Sequence, residues 1–218
     1  AVDAVPADAT QVTITMLKEA QGDGVVVKAG QNIVFDFGGH TYNINGALVG
    51  SAGTETNGMQ FLKGSAVTLK NGTLTSDKAK ILVQNYCDLT LDGMKLDGTK
   101  SSVCGYVLSN NFGNTVATGD TCITAGEGKV AFDLWYNMSD VYKDGVTVTF
   151  DKNFTGKVTG KVEYGTGNPV DGWEDKAALT IQGGMFDTQF VASGSNDIRQ
   201  ANISISSGSF TSKDAAGY

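Results

Sequence analysis

The sequence has few of the residues that bind phosphate, ligate metals or stiffen linkers. Its 218 residues include a single histidine, His40, a single arginine, Arg199, and only two prolines. The formal charge is -7 and the pI is near 4.6. Contacts to phosphate draw on clustered lysine and arginine, so neither nucleic acid nor an anionic membrane is expected as a partner. The acidic composition indicates a protein kept in solution by its charge.

Cysteine is also scarce, and its spacing does not suggest a metal site. Cys87, Cys104 and Cys122 form no CxxC pair and have no histidine beside them. A structural zinc site needs four clustered ligands, so neither a metal nor a cofactor is predicted. Two interpretations remain open: one disulfide with one free thiol, or three small buried apolar side chains.

The chain has no long apolar run and no leader-like start. No stretch approaches the roughly 20 apolar residues of a membrane-spanning helix, and no basic-then-apolar segment opens the sequence. Ala1 is the residue that removal of an initiator methionine would leave. We therefore expect either a protein made and assembled in the cytoplasm or one whose leader has been removed.

What is abundant is glycine, with 29 residues, in a chain that is 40% hydrophobic. Many glycines and few prolines indicate many tight turns, and the length suits one large all-β domain or two small ones. We expect one domain. Helical patterns are nearly absent after residue 20, which excludes alternating strands and helices.

A spaced triplet recurs along the chain: two apolar residues at i and i+2, a Gly-containing turn, and a large apolar residue five positions after the second. The clearest copies are ALTIQGGMF (178–186) and NISISSGSF (202–210). The seven copies are Phe35/Phe37/Tyr42, Val67/Leu69/Leu74, Leu89/Leu91/Leu96, Val116/Thr118/Ile123, Val148/Phe150 with Phe154 one place early, Leu179/Ile181/Phe186 and Ile203/Ile205/Phe210.

The spacing of these copies favours stacked coils. Successive copies begin between 22 residues apart (from 67 to 89) and 32 residues apart (from 35 to 67), within the range of repeat architectures. Twenty-two residues accommodate about three short strands and their bends. A β-sandwich would also show many short strands and remains the alternative, although the shared phase of the turns favours parallel stacking.

The two ends of the chain are expected to differ from the coils. Residues 1–11 are small and polar, which predicts a tether. Met16, Leu17 and Ala20 predict a short helix at about 15–21 that caps the open end of the stack. The loops with the most aromatic character are 131–145 and 168–176.

At this level the residues resemble a known superfamily. The VVVKAG and IVFDFGGHTY strands and the V-x-L-x-N-G-x-L coils, with a short N-terminal helix, resemble pectate-lyase-like right-handed parallel β-helices. The ALTIQGGMF and ISISSGSF units and the trailing GSFTSKDAAGY are similar to repeats of large surface proteins of gut Firmicutes and of structural proteins of their phages. The resemblance covers most of residues 12–215. It implies a fold and an extracellular or virion setting, and it specifies no activity.

We therefore predict an all-β fold, a single-stranded right-handed parallel β-helix of about seven irregular coils that occupies residues 12–218.

A lyase of this superfamily needs a strong base and Ca²⁺ held by acidic side chains. Arg199 has one Asp in its neighbourhood, which is too little charge, and a surface ion pair is the expected role. His40 lies in a turn with no nucleophile motif, which predicts a turn or surface histidine.

A glycosidase needs two carboxylates on either side of the scissile bond. Asp88, Asp92 and Asp97 in CDLTLDGMKLDG are the best candidates, and Asp36 could stack near one of them from another coil. Acidic residues at turns usually bond the local backbone, so turn formation is the expected role of these side chains.

Binding is the other activity that a β-helix face can support, because aromatic side chains stack on sugar rings. The candidate binding residues are Trp135, Tyr136, Tyr142 and Trp173, against the alternative that they pack the two long loops. Asn85 and Asn110 follow matching strands in neighbouring coils and predict an asparagine ladder that satisfies turn backbones.

The predicted function is a non-enzymatic structural or adhesive protein on a phage virion, as a head decoration, fibre or tail component, or on a bacterial surface. It would act as a rigid spacer and interaction surface, in a homo-oligomer with a trimer as one form, or with other virion or surface proteins. Glycans are a further candidate partner. The second hypothesis is a polysaccharide-binding or polysaccharide-cleaving β-helix of the lyase or glycoside hydrolase type.

Overall fold

The computed structural model describes residues 1–167, 171–194, 196–197 and 200–211. Within these ranges the chain forms 17 strands and two short 3-10 helices, Val2–Ala4 and Glu174–Lys176. Arg199, part of the predicted loop 168–176 and the last residues of the predicted domain 12–218 lie outside the described residues. No helix in the described ranges is long and apolar enough to cross a membrane.

The strands are β1 Val12–Thr15, β2 Ala20–Gly22, β3 Val25–Val27, β4 Asn32–Asp36, β5 Thr41–Ile44, β6 Asn57–Phe61, β7 Ala66–Ser76, β8 Ile81–Asn85, β9 Asp88–Asp97, β10 Tyr106–Asn110, β11 Gly113–Thr118, β12 Cys122–Thr124, β13 Val130–Tyr136, β14 Val146–Phe150, β15 Lys157–Thr166, β16 Ala177–Ala192 and β17 Asn202–Phe210.

These strands form three parallel ladders that the chain visits in a fixed order. Ladder one contains β1, β4, the first half of β7, the first half of β9, β11, β14, and the starts of β16 and β17. Ladder two contains β2, β5, the second halves of β7 and β9, β12, the start of β15, the middle of β16 and the end of β17. Ladder three contains β3, β6, β8, β10, β13 and the ends of β15 and β16.

The parallel direction decides between the two predicted all-β architectures. Every ladder among the described residues is parallel, and the isolated bridge between Val49 and Asn57 is antiparallel. A β-sandwich is built from antiparallel sheets, so that alternative is wrong. An all-β chain with a large parallel sheet is consistent with the predicted solenoid.

The repeat triplets stack in register where their pattern is clearest. Val67 pairs with Leu89 and Leu69 with Leu91 in ladder one, and Leu74 pairs with Leu96 in ladder two. The last two copies also match position by position: Leu179 pairs with Ile203, Ile181 with Ile205, and Phe186 with Phe210. Apart from Ile203, Ile205 and Phe210, which are partly buried, these residues belong to one continuous buried core. The predicted alternation is therefore confirmed for these copies.

Two copies have a different register from the prediction. In the first, Ile33 and Phe35 pair with Val67 and Leu69, so the pair is Ile33/Phe35 and not Phe35/Phe37. The run IVFDF satisfies alternation in either register, and Phe37 is buried at the corner that follows the strand. A two-residue slip keeps every side chain on the same face, so alternation could not distinguish the two.

The fourth copy is one residue out of register. Thr115 and Ala117 pair with Leu89 and Leu91 and point inward, while Val116 faces outward. Thr115 is accepted in the interior because its hydroxyl is hydrogen-bonded by two buried asparagines, as described below. The apolar pattern favours Val116 over Thr115, because the buried hydrogen-bond partners of Thr115 are not apparent in the local sequence.

The fifth copy ends at a different third residue. Val158 pairs with Ile123 and with Phe186, so Val158 occupies the position that was assigned to Phe154. Phe154 is buried too, but it lies in the corner between β14 and β15, where its ring centroid is 4.8 Å from that of Phe150. The turn is longer than in the other copies, and both aromatic side chains fill the core.

The predicted cap helix at about 15–21 is wrong. The segment forms the end of β1, a bend and the start of β2, and Val12 and Ile14 make one more level of ladder one by pairing with Ile33 and Phe35. The helical interpretation rested on burying Leu17, whose side chain is 86% exposed. The alternating VTIT pattern predicts the strand better.

Residues 1–11 are docked on the stack and are not a free tether. Val5 is 8% exposed, and the Gln31 side-chain amide donates to the carbonyl oxygens of Val2 at 3.0 Å and Val5 at 2.8 Å. The Val2–Ala4 helix contacts β3. A short irregular segment therefore covers part of the end where a helix was expected.

Packing of the interior is expected to dominate stability. Phe150 is fully buried, and its ring contacts those of Phe132, Phe154 and Phe186. Replacing it, as Phe150→Ala, should cost about 3–5 kcal/mol of unfolding free energy through lost burial and the cavity left behind. Thr149→Ala, on the outward face of the same strand, should cost less than about 1 kcal/mol. Urea denaturation of both variants checks this, and equal losses would contradict the inward assignment of Phe150.

Candidate functional site

One outward position of ladder three carries a polar side chain at five successive levels. Each of these residues lies between two inward residues of its strand, as in Phe132-Asp133-Leu134. Paired strands place them directly above one another. The five residues, called the polar row from here, are Gln60, Gln84, Ser109, Asp133 and Glu163.

Asp133 is the most buried carboxylate of the row, with a relative exposure of 4%. Its Oδ1 accepts the backbone N–H of Asn110 at 2.6 Å, and its Oδ2 accepts the Ser109 hydroxyl at 3.0 Å. Burial raises the pKa of Asp133 to about 8, and the Glu163 carboxylate adds to the rise, while these two hydrogen bonds oppose it. The raised pKa favours the protonated form of Asp133 in the folded chain.

Glu163 occupies the next level and is half-buried. Its Oε2 accepts the hydroxyl of Tyr106 at 2.7 Å. Burial, this hydrogen bond and the charge of Glu163 all raise the pKa of Tyr106, so the phenol stays protonated and remains a donor. Two carboxylates with different environments thus lie side by side on one face.

The amide end of the row forms its own network. Asn57 and Gln60 donate to the Gln84 Oε1 at 2.7 Å and 2.8 Å, and the Gln84 side-chain nitrogen donates to the Tyr86 hydroxyl at 3.1 Å. Burial raises the pKa of Tyr86 to about 12, with smaller contributions from Tyr142 and Asp133. Tyr86 is therefore part of the amide network.

The segment 137–145, called the strap from here, packs against residues that follow β6, β8 and β10. Its Tyr142 ring contacts those of Tyr86 at 5.1 Å and Phe112 at 5.5 Å, measured between centroids. Lys63 donates to the backbone oxygen of Val141, and its Nζ lies 4.3 Å above the centroid of Phe112. The strap thus contacts residues at three other levels of ladder three.

Inside the same ladder, two asparagines form the predicted ladder. Asn85 and Asn110 are paired and fully buried. Asn85 donates to the Cys87 carbonyl at 3.0 Å and accepts the Cys87 N–H at 3.0 Å, which closes the turn between β8 and β9. The Thr115 hydroxyl accepts from Asn85 at 3.1 Å and donates to Asn110 at 2.6 Å. The role predicted for these asparagines is confirmed.

The four aromatic residues predicted to bind a ligand separate into two groups. Trp135 is half-buried on the outward face of β13, two positions after Asp133, and Tyr142 lies on the strap. Tyr136 and Trp173 are 7% and 3% exposed. The Tyr136 hydroxyl donates to the Lys143 carbonyl at 3.3 Å, and Trp173 packs on Tyr164 at 5.0 Å between centroids. Neither buried ring offers a face to a ligand, so both are corrected to packing residues.

Of the predicted carboxylates, Asp97 has the expected bonds within its own turn, whereas Asp88 bonds Asn114 at a neighbouring level. Asp88 accepts from the backbone and side chain of Asn114 at 3.1 Å and 3.0 Å, and Asp97 accepts from Thr99 at 2.9 Å and 2.6 Å. Asp92 is exposed beside the turn at Gly93. Asp36 and Asp92 are separated by the level of Lys70, which forms an ion pair with Asp36 at 3.3 Å.

His40 and the cysteines lie where they do not combine with these groups. The His40 Nδ1 is 3.6 Å from a Glu19 carboxylate oxygen on the surface. The three cysteines are free; Cys87 and Cys104 are buried, and burial raises both pKa values, to about 12 for Cys87. Of the two interpretations of the cysteines, the structure shows small buried side chains for these two, and Cys122 is half-buried.

An apolar cavity of about 260 Å³ lies elsewhere, at the end of the stack formed by β1. Its walls include Ile14, Met16, Phe35 and Met59, with Val2 of the docked segment on one side. The cavity shares no residue with the polar row. It is the incompletely filled end of the core beneath residues 1–11.

The apolar triplets belong to ladders one and two, so they do not reveal the polar row of ladder three. The third strand of each coil carries its own pattern, seen in MQF, VQN, LSN, FDL and VEY. In each of these, a polar residue lies between two residues that point inward. Aligning these tripeptides would have placed Asp133 beside Glu163.

A comparison of the chain with protein-family models, with curated proteins and with solved structures finds no match. The site is therefore interpreted from its own geometry.

The raised pKa of Asp133 predicts a pH-dependent stability. Between the ordinary aspartate value of 3.8 and about 8, the folded chain binds a proton that the unfolded chain has released. Stability should therefore fall as pH rises through this window and level off above about 8. Asp133→Asn removes the titration, so the variant should gain stability relative to wild type as pH increases.

Urea denaturation at several pH values between 5 and 9 measures this difference. The exposed Asp92→Asn is the matched control and should follow the wild type at each pH. A difference between wild type and Asp133→Asn that stays constant over this range would refute the assignment.

Proposed function

We propose that the chain is a closed, right-handed parallel β-helix that acts as a non-enzymatic structural or adhesive module. The observation that carries this proposal is the continuous in-register stacking of ladder one. Its eight levels, from β1 to β17, are separated by seven turns of chain. At about 4.8 Å per level, these turns form a stiff body roughly 34 Å long.

Rigidity follows from how the turns are held on both sides. Inside, one apolar core runs from Val27 to Phe190 without a break into separate clusters. Outside, ion pairs join neighbouring levels, as between Lys157 and Asp187 at 3.2 Å and between Lys100 and Asp77 at 2.8 Å. A body built in this way suits a spacer that presents a fixed surface.

The interaction surface that we propose is the outward face of ladder three around Trp135 and the strap. Trp135, Tyr86, Phe112 and Tyr142 bring four aromatic rings to one side of the molecule, and aromatic residues are enriched where proteins bind partners. The setting, on a virion or a bacterial surface, is supported by the resemblance of the coil sequences to surface and phage structural proteins. Its proposed partners are copies of itself, with a trimer as one form, or other virion or surface proteins.

Assembly is tested by sedimentation velocity over a wide concentration range. We expect a stable homo-oligomer, because the partly exposed aromatic rings of this face are of the kind that proteins bury against a partner. Trp135→Ala should weaken assembly if the aromatic face is the interface, while the outward Thr149→Ala should leave it unchanged. A monomer at all concentrations would overturn the self-assembly part of the proposal.

A polysaccharide-binding or polysaccharide-cleaving β-helix is the second candidate. The observation that favours it is the pair Asp133 and Glu163, a protonated acid beside a half-buried carboxylate, with Trp135 on the same face. Glycosidases use two carboxyl groups in different protonation states. Against cleavage, Asp133 is only 4% exposed, which leaves its carboxyl little access to a glycan.

Assays on neutral and uronate-containing glycans distinguish the two candidates. The first proposal predicts no turnover by the wild type, with any binding reduced by Trp135→Ala. Turnover that is abolished by Glu163→Gln or Asp133→Asn, and retained in Asp92→Asn and Asp97→Asn, would establish the enzyme.

A further inference from the structure

The first level of the stack fills its interior less completely than the levels that follow. In ladder two, the column of paired residues that includes Leu74 continues to Tyr42 and ends in Ala20. Paired residues lie on the same face of their strands, so the first level contributes a methyl group where the next two contribute large side chains. The apolar cavity of about 260 Å³ lies at this end of the stack. Protein interiors contain few voids larger than a water molecule, so a cavity of this size is unusual for a core.

The walls of this cavity are rich in aromatic rings and thioethers. All three ladders contribute: Phe35 belongs to ladder one, Tyr42 to ladder two and Met59 to ladder three. Phe37 and Met16, which lie close to corners of the coil, complete this part of the wall. Aromatic rings attract one another in offset and edge-to-face arrangements, and a thioether sulfur packs favourably against a ring edge. A flat aromatic guest therefore gains contacts here that an aliphatic guest of the same volume lacks.

The polar side chains of the wall already have hydrogen-bond partners. The Tyr42 hydroxyl donates to the Asp23 carbonyl oxygen at 2.7 Å. The Asp36 carboxylate accepts the Gly38 N–H at 3.0 Å and the Asn71 side-chain amide at 3.2 Å. A guest with a charge or with hydrogen-bonding groups of its own loses bonds to water on entry and gains few in return, which costs free energy. The wall is therefore matched to an uncharged apolar molecule.

The cavity is accessible from its rim. Ile14 and Val25, the inward residues of the first level in ladders one and three, are half-buried. Phe35 and Met59, which pair with them at the next level, are buried. A guest can therefore pass the rim and reach the buried rings while the strands stay paired.

We propose that this cavity is a binding site for a small, uncharged aromatic molecule of one or two rings. An apolar cavity of about 150 Å³ is enough to bind benzene, so the larger volume here accepts one ring with a substituent. The site shares no residue with the surface around Trp135 and the strap. It therefore goes beyond the proposed function and does not depend on it.

Titration of the intact chain with toluene, followed by NMR of the Ile14, Val25 and Met59 methyl groups, measures binding directly. We expect saturable shifts centred on these methyl groups, with a Kd of about 0.1–1 mM, which is within reach of a ligand of this size. Benzoate and benzylamine present the same ring with a charge and should bind at least about tenfold more weakly. Cyclohexane, an aliphatic ring of similar size, should bind about threefold more weakly or less.

A larger side chain in the wall should exclude the guest. Val25→Phe places a ring of the protein in the cavity and should weaken toluene binding at least about tenfold, since an occupied space does not accept further volume. Val116→Phe, the same substitution on the outward face of ladder one, is the matched control and should bind toluene as the wild type does. Ile14→Phe fills the cavity from ladder one and replaces Val25→Phe if that variant does not fold.

Three results would overturn the site: no saturable shift in the wild type, shifts spread evenly over the core, or wild-type affinity in a folded filling variant. Binding of benzoate or benzylamine as tight as that of toluene would contradict the uncharged class, and equal binding of cyclohexane would contradict the aromatic class. The wild-type titration needs no variant to fold. It also needs no assembly, so its outcome and that of the proposed function are separate results.

Discussion

The whole structure depends on parallel pairing of like positions. When Val67 pairs with Leu89, the backbone hydrogen bonds also determine which residues pair along the rest of the two strands. The next strand of the ladder then pairs in the same register. Each column of the interior therefore consists of residues that contact their counterparts above and below. One chain of 218 residues builds a long core from local stacking, in which each coil is stabilised mainly by its two neighbours.

This constraint explains which parts of the fold were predictable. Where a column is apolar throughout, as at Leu69 and Leu91, period-two alternation is sufficient to find it. Where a polar residue takes an inward position in the column, period-two alternation of apolar residues predicts the wrong register. Thr115 is inward because Asn85 and Asn110 can hydrogen-bond it, and a partner from another coil is not visible in the local sequence. The cap helix was wrong for a similar reason: the helical spacing of Met16 and Ala20 does not reveal that β4 offers β1 a partner strand.

The candidate site was less predictable than the fold because it is a property of neighbouring coils. Asp133 and Glu163 are 30 residues apart in the sequence, and neither lies in a recognisable motif. Their proximity follows from the register of ladder three. Trp135 and Tyr142 could be selected from the sequence as aromatic residues of the predicted loop 131–145, although the first part of that segment forms the end of β13. Separating them from Tyr136 and Trp173 required knowledge of which side chains face the core.

The same register that stabilises the interior also places the outward side chains of neighbouring levels close together, including two carboxyl groups that repel each other when both are charged. Parallel stacking brings equivalent positions within about 4.8 Å of each other, so an acidic residue at one level faces whatever the next level carries. At Asp36 the next level supplies Lys70, and a backbone N–H of Gly38 together with Lys70 and Asn71 lowers the pKa of Asp36. At Asp133 the next level supplies Glu163, and burial and repulsion raise the pKa. The fold permits both outcomes, and at Asp133 the neighbouring Glu163 adds a charge effect to the effect of burial on the pKa.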